Sequence, residues 1–250
     1  MQFIRHQPHI LLQKFIESYW VLHTDSSSLE IPLLANASTT IFINLGNTKE
    51  GIDSFKPLKP GRIYMGGPAT SARFFNCFPG NIFVGIRFKP GGLCMFYRVP
   101  LAEMVDKVVE FEDRQLSYIL DMDDRLPSRL DEYFLSKKKQ AYPVFNLADV
   151  VYQYKGQISV DMLARESNMS NRTLERYFFN HVGIGPKEFI NIVRFKEVMA
   201  SLNDRSVEKE FAKIAIEMGY YDQSHFIKEI KRRAGSIPTA IESIFNLRTL

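Results

Sequence analysis

The chain has 250 residues, 45% of them hydrophobic, which is enough for one large domain or two of moderate size. Lys and Arg exceed Asp and Glu by only 32 to 28, too small a surplus to mark a polyanion-coating protein, and two cysteines, Cys77 and Cys94, cannot supply a disulfide framework or a zinc site. Arg5, His6, Gln13, Lys14 and Glu17 interrupt the N-terminal apolar residues, and no apolar run reaches roughly 18 residues, so a cytoplasmic protein without signal peptide or membrane span is predicted.

In chain order, "ILLQKFIESYW" has the spacing of a short helix running into a first strand, "YWVLH". From about 31 to 90, "IPLLA", "TTIFINLGN", "GRIYMGGP", "ARFFNCFPGN" and "IFVGIRFKPGG" are β-branched and aromatic runs broken by Gly, Pro and Asn, and they predict a β-rich domain. Helices are predicted over 113–121, with Leu116, Ile119 and Leu120 inward, and over 126–136, with Leu130, Tyr133 and Phe134 inward. The aromatic residues of the β region fit either its core or an effector cavity, and Phe42, Tyr64, Phe74, Arg87 and Phe88 are the candidates for the second role. "RFKPGGLCMFY" reads either as a structural turn or as backbone N–H groups offered to an anion beside Arg87 and Lys89. His6, His9 and His23 lack the spacing of a metal set, and neither metal nor cofactor is predicted.

Beyond about 144 the patterning becomes helical, and "SKKKQAYP" has the charge and proline of a linker, which divides the chain into 1–142 and 143–250. The second part repeats itself. "LARESNMSNRTLERYFFNHVGIGP" aligns with "IAIEMGYYDQSHFIKEIKRRAGSIP", with one residue added in the turn. Each copy has the parts of a helix-turn-helix: turn residues Asn168 or Gly219, an N-cap at Ser170 or Asp222, a stop at Gly183 or Gly235, and Pro186 or Pro238 beyond it. A helix over 186–202, roughly 25 Å long at 1.5 Å per residue, joins the copies. Recognition helices entering successive major-groove segments must lie roughly 34 Å apart, a separation that such a connector suits.

At about 100° per residue, Leu174 and Phe178 face inward in the first recognition helix and turn Arg172 and Arg176 outward. In the second, Phe226 and Ile230 face inward, leaving Ser224, Lys228 and Lys231 outside with Gln223 near the start. Arg can donate two hydrogen bonds to guanine and Gln can pair with adenine, whereas Lys231, Arg232 and Arg233, late in their helix, suit phosphates. His225 fits a groove contact and a plain surface position equally.

On these motifs, residues 144–245 resemble the DNA-binding domain of the AraC/XylS family of bacterial transcription regulators, with Ile230 where an aromatic is usual and Ile241 and Glu242 where the family has an aromatic and an arginine. The resemblance implies that Asn171, Arg172, Glu175 and Arg176 face one groove segment and Gln223, Ser224, His225 and Lys228 the next. "YWVLH", "IFINLGN", "MGGP" and "GIRFKPGGLCMFYRVPLAEMVDKVVEFED" resemble the cupin-like sensor domains of some members. An α+β chain is therefore expected: a small β-barrel that takes a small effector, then an all-α domain of two helix-turn-helix units joined by a long helix. Its partner is double-stranded promoter DNA, and the resemblance allows RNA polymerase and a second copy of the chain as further ones. The rival readings are an architectural protein without effector and an enzyme with a catalytic N-terminal domain. The metal-dependent form of the latter needs more cysteines than this chain has.

Overall fold

The structure, a computed structural model, describes residues 2–24, 29–46, 51–52, 58–77, 79–120, 125–137, 147–203 and 211–236. The strands are β1 (Gln2–His6), β2 (Ile16–His23), β3 (Leu29–Leu33), β4 (Thr39–Asn44), β5 (Gly51–Ile52), β6 (Ile63–Gly66), β7 (Arg73–Cys77), β8 (Ile82–Phe88) and β9 (Val108–Glu110). They form a six-stranded antiparallel sheet in the order β1-β2-β8-β4-β6-β9 and a three-stranded one in the order β3-β7-β5.

Period-two alternation gives the larger sheet two buried faces. Ile41, Ile43, Val84, Ile86 and Phe88 point to one side. There α1 (Arg114–Ile119) and α2 (Leu126–Lys137) cover them, Phe134 meeting Phe88 at 5.6 Å between ring centroids. Leu22, Phe42 and Phe83 point the other way, toward Ile31 and Phe75 of the smaller sheet, with Phe75 edge-on to Phe83 at 5.1 Å. Gly85 sits on that second face because no side chain fits there: a Cβ would lie 2.3 Å from the Trp20 ring.

One expectation needs correction, and one open alternative is resolved. Residues 10–15 form a turn, with Phe15 and Ile16 N–H groups both donating to Leu12 O, and β2 begins at Ile16. One helical turn suffices to bury Leu12 and Phe15, after which pairing with β1 and β8 takes over. "RFKPGG" is a structural turn: Lys89 N–H donates to Phe15 O, Gly92 N–H to Lys89 O, and a Cβ on Gly92 would lie 2.0 Å from Phe15 O.

The helical part comprises α3 (Leu147–Gln153), α4 (Val160–Glu166), α5 (Asn171–His181), α6 (Pro186–Asn203), α7 (Phe211–Glu217) and α8 (Gln223–Ala234). Ile190 and Val193 of α6 join Leu163, Leu174 and Phe178 in one core, while Phe195, Val198 and Met199 join Ile214, Phe226 and Ile230 in another. A single 18-residue helix, about 27 Å long, is thus the spine of both units. The α+β expectation is borne out; the division at 142/143, together with Ile241 and Glu242, lies outside the described residues.

Both recognition helices touch the β-domain at their C-terminal ends. Cys94 lies against the carbonyls of Asn180 and His181 at the end of α5. Gly183 takes φ +87° where a Cβ would come within 2.6 Å of Leu101 O. At α8, Ala35 N–H donates to Arg233 O and Ala72 N–H to Arg232 O, at 2.9 and 3.0 Å. Among the described residues, no helix is long and apolar enough to cross a membrane.

Candidate nucleic-acid interface

The two recognition helices start in the same way. Ser170 and Asp222 are extended, and their side-chain oxygens accept from Thr173 N–H at 3.2 Å and His225 N–H at 2.7 Å, fixing where each helix begins. The turns before them reverse through left-handed residues, Asn168 at φ 51° and Gly219 at φ 72°. Burial of Leu174 and Phe178 then leaves Asn171, Arg172, Glu175 and Arg176 exposed on α5, and burial of Phe226 and Ile230 leaves Gln223, Ser224, His225 and Lys228 exposed on α8. The structure therefore collects the predicted base-reading residues onto two matching N-terminal faces. Asn171 also donates to Asp161 of α4 at 2.6 Å, which holds its amide.

One residue that pattern reading passed over ties the units together. Arg194, on α6, donates from Nε to Gly156 O beside the first unit and from Nη1 to Gly219 O in the turn of the second, at 2.9 and 3.0 Å. Nothing in the sequence set it apart from Lys187 and Lys196, the other cations of α6.

The basic run at the end of α8 is a correction. Arg233 has no exposed side-chain surface: its guanidinium donates to both carboxylate oxygens of Glu188 at 3.0 and 3.2 Å, to Glu229 at 2.8 Å and to Thr70 O. It is a buried cross-link, out of reach of phosphate. Arg232 is half-exposed and shares Glu188 and Glu229 at 3.3 Å, so its charge is partly spent; Lys231 is exposed.

A cavity of about 390 Å³ opens where the two β-sheets and α6 meet. Phe3, Trp20, Phe42, Phe75 and Phe83 line it, together with Arg5, Glu17, Arg87 and, from α6, Lys196. Of the effector candidates, Phe42 and Arg87 reach it. Phe88, one residue further along β8, points to the helical face for that reason, and the Tyr64 hydroxyl instead accepts from Lys59 N–H. Phe74 alternates with Phe75 to the outer face, against Gly235. Arg87 and Lys196 are half-buried on the cavity wall. Burial lowers the pKa of both; Glu17 opposes this in each case, while Arg5 adds to it at Arg87 and Arg87 adds to it at Lys196. The buried Arg87 Nε, Trp20 Nε1 and Ser38 Oγ have no hydrogen-bond partner. Arg5, Glu17 and Lys196 escaped sequence reading because they come from distant segments. No group of three metal-ligating side chains occurs among the described residues.

Comparison with known proteins assigns the two parts separately. Residues 163–243 match a family described as a helix-turn-helix domain, and residues 4–110 match a domain of unknown function (DUF6597). The XylDLEGF operon transcriptional activator of Pseudomonas putida is 30% identical over 86 residues, which is 34% of this chain and 27% of that protein. An uncharacterized HTH-type transcriptional regulator of Haemophilus influenzae is 32% identical over 85 residues, 34% of this chain and 28% of that one. The chain thus spans little more than a quarter of the length of these curated relatives. ToxT from Vibrio cholerae shares the fold across 98% of both chains, with a TM-score of 0.50 at 11% identity. Over the matched C-terminal segment, the resemblance read from the repeat is borne out.

Proposed function

We propose that this chain is a sequence-specific, cytoplasmic transcription regulator of the AraC/XylS type, reading promoter DNA with α5 and α8 under the control of a small effector held by the β-domain. The observation that carries the reading is the pair of capped helices, alike in start, buried stripe and exposed polar face, mounted on one spine. Helix N-terminal turns are where base contacts concentrate. Arg172 and Arg176 are the leading base readers on α5, flanked by Asn171 and Glu175. Gln223, Ser224, His225 and Lys228 take that role on α8, and Lys231, with what remains free of Arg232, holds phosphates. The chain divides at about 142, the β-domain acting as sensor and the helical domain as reader. No reaction is assigned to it.

Selection of genomic fragments by the purified protein, followed by affinity measurement on the enriched site and on random DNA, tests this directly. Arg172→Ala or Arg176→Ala should cost about 1–3 kcal/mol on the enriched site and little on random DNA. Equal losses on both would make these residues phosphate contacts. Failure to enrich any fragment would sink the regulator reading.

A further inference from the structure

We propose that Asp161 is a specificity-determining residue that acts through Asn171, fixing its amide so that the first recognition helix demands adenine at one base pair of the site. The inference rests on the DNA-reading function above and extends it to a positioning residue outside both recognition helices.

Geometry is the first argument. Asp161 lies in the first turn of α4 and Asn171 is the first residue of α5; Asn171 Nδ2 donates to Asp161 Oδ1 at 2.6 Å, and both residues are exposed. Neither helix needs this bond in order to start. Ser159 caps α4, its Oγ accepting from Met162 N–H at 3.1 Å, and Ser170 caps α5. The turn does not need it either. Met169 N–H donates to Ala164 O and Tyr220 N–H to Ala215 O, both at 2.9 Å, so the two units turn alike. Yet Ala212 stands before Ala215 where Asp161 stands before Ala164. Ala212 has no group with which to hold Gln223, so the carboxylate belongs to the first reading head and not to the fold.

Hydrogen-bond chemistry gives the second argument. A carboxylate only accepts, so it selects the NH2 end of the Asn171 amide, and its charge strengthens the bond. Held in that sense, the amide keeps its carbonyl oxygen and its second N–H for the groove, the acceptor and donor that match adenine N6–H2 and N7. A free amide can turn over and offer N–H groups to guanine or thymine oxygens instead, which blurs the reading. Fixing it before DNA arrives also lowers the side-chain freedom lost on binding. Arg172 and Arg176 on the same helix need no such partner, because a guanidinium has only donors to present.

The test uses the full-length protein on the enriched site, on its single-base variants and on random DNA. Asn171→Ala locates the base pair that Asn171 reads, where adenine should be preferred. There Asp161→Ala should reduce the adenine preference by roughly fivefold. Asp161→Asn keeps the shape and an acceptor but can face either end of the amide, and it should relax the preference as well. In the Asn171→Ala background neither change should have any further effect at that base pair, as expected of two residues that act as one. Random-DNA affinity should hold or rise, since a carboxylate beside phosphates repels them, and the melting temperature should stay near that of the parent. Full adenine preference in either Asp161 variant, additive losses, a base other than adenine at the Asn171 position, or parallel losses on the site and on random DNA with a lowered melting temperature would overturn the proposal. With an enriched site in hand, those outcomes count against Asp161 alone. No enriched site would remove the regulator reading and this proposal with it.

Discussion

At the scale of single residues, the side chain with the largest consequence is Arg233. Its removal would leave Glu188 and Glu229 only the half-exposed Arg232, and because those carboxylates keep some exposure, the loss falls at the lower end for a broken buried pair: Arg233→Ala should destabilise by about 3 kcal/mol in chemical denaturation. The same cluster sets an acid limit. Burial alone would raise the Glu229 pKa, but Arg233 and Arg232 outweigh it and hold the carboxyl below its usual value. A group depressed on folding contributes stability above its unfolded pKa and loses it as pH falls through the folded one. Melting temperature followed from about pH 7 to pH 3 should therefore fall less steeply in Glu229→Gln than in the parent below about pH 4.5. None of this was visible in "KRR". A cation late in an amphipathic helix reads the same whether it meets water or a carboxylate 45 residues earlier in the chain.

At the scale of elements, what was legible depended on how local the determining interactions are. Ser170 and Asp222 cap helices by bonding residues three positions on, so both starts could be read directly. Ser170→Ala should cost about 1 kcal/mol of stability, measured by denaturant titration, and loosen the first turn that carries Arg172. Strands are different. β1 and β9 were missed because each is a short edge element whose pairing partner lies elsewhere, β1 against β2 and β9 against β6. Gly85 shows the same dependence, since its missing side chain is explained only by the Trp20 ring across the strand pair. Gly85→Ala should destabilise by about 1–3 kcal/mol through overpacking and shift Trp20 emission in the protein without ligand.

At the scale of the whole molecule, the cavity is the feature that sequence patterning could not assemble. Its walls come from both sheets and from α6, and strand alternation left open whether the aromatic residues lined a core or a cavity until Phe42 and Phe88 were seen on opposite faces. DNA affinity also belongs to this scale. Lys231→Ala should weaken binding to any sequence alike and lower the dependence of log affinity on log salt by about 1. Arg194 brings a further consequence. Because one guanidinium anchors the loop before the first reading unit and the turn of the second to one rigid spine, the protein has little freedom to swivel one head against the other. Each base pair inserted between the two contacted segments of an operator would rotate one of them by about 34°. The regulator should then reject spacing variants far more sharply than single-base substitutions, so that distance along the duplex becomes part of the address it reads.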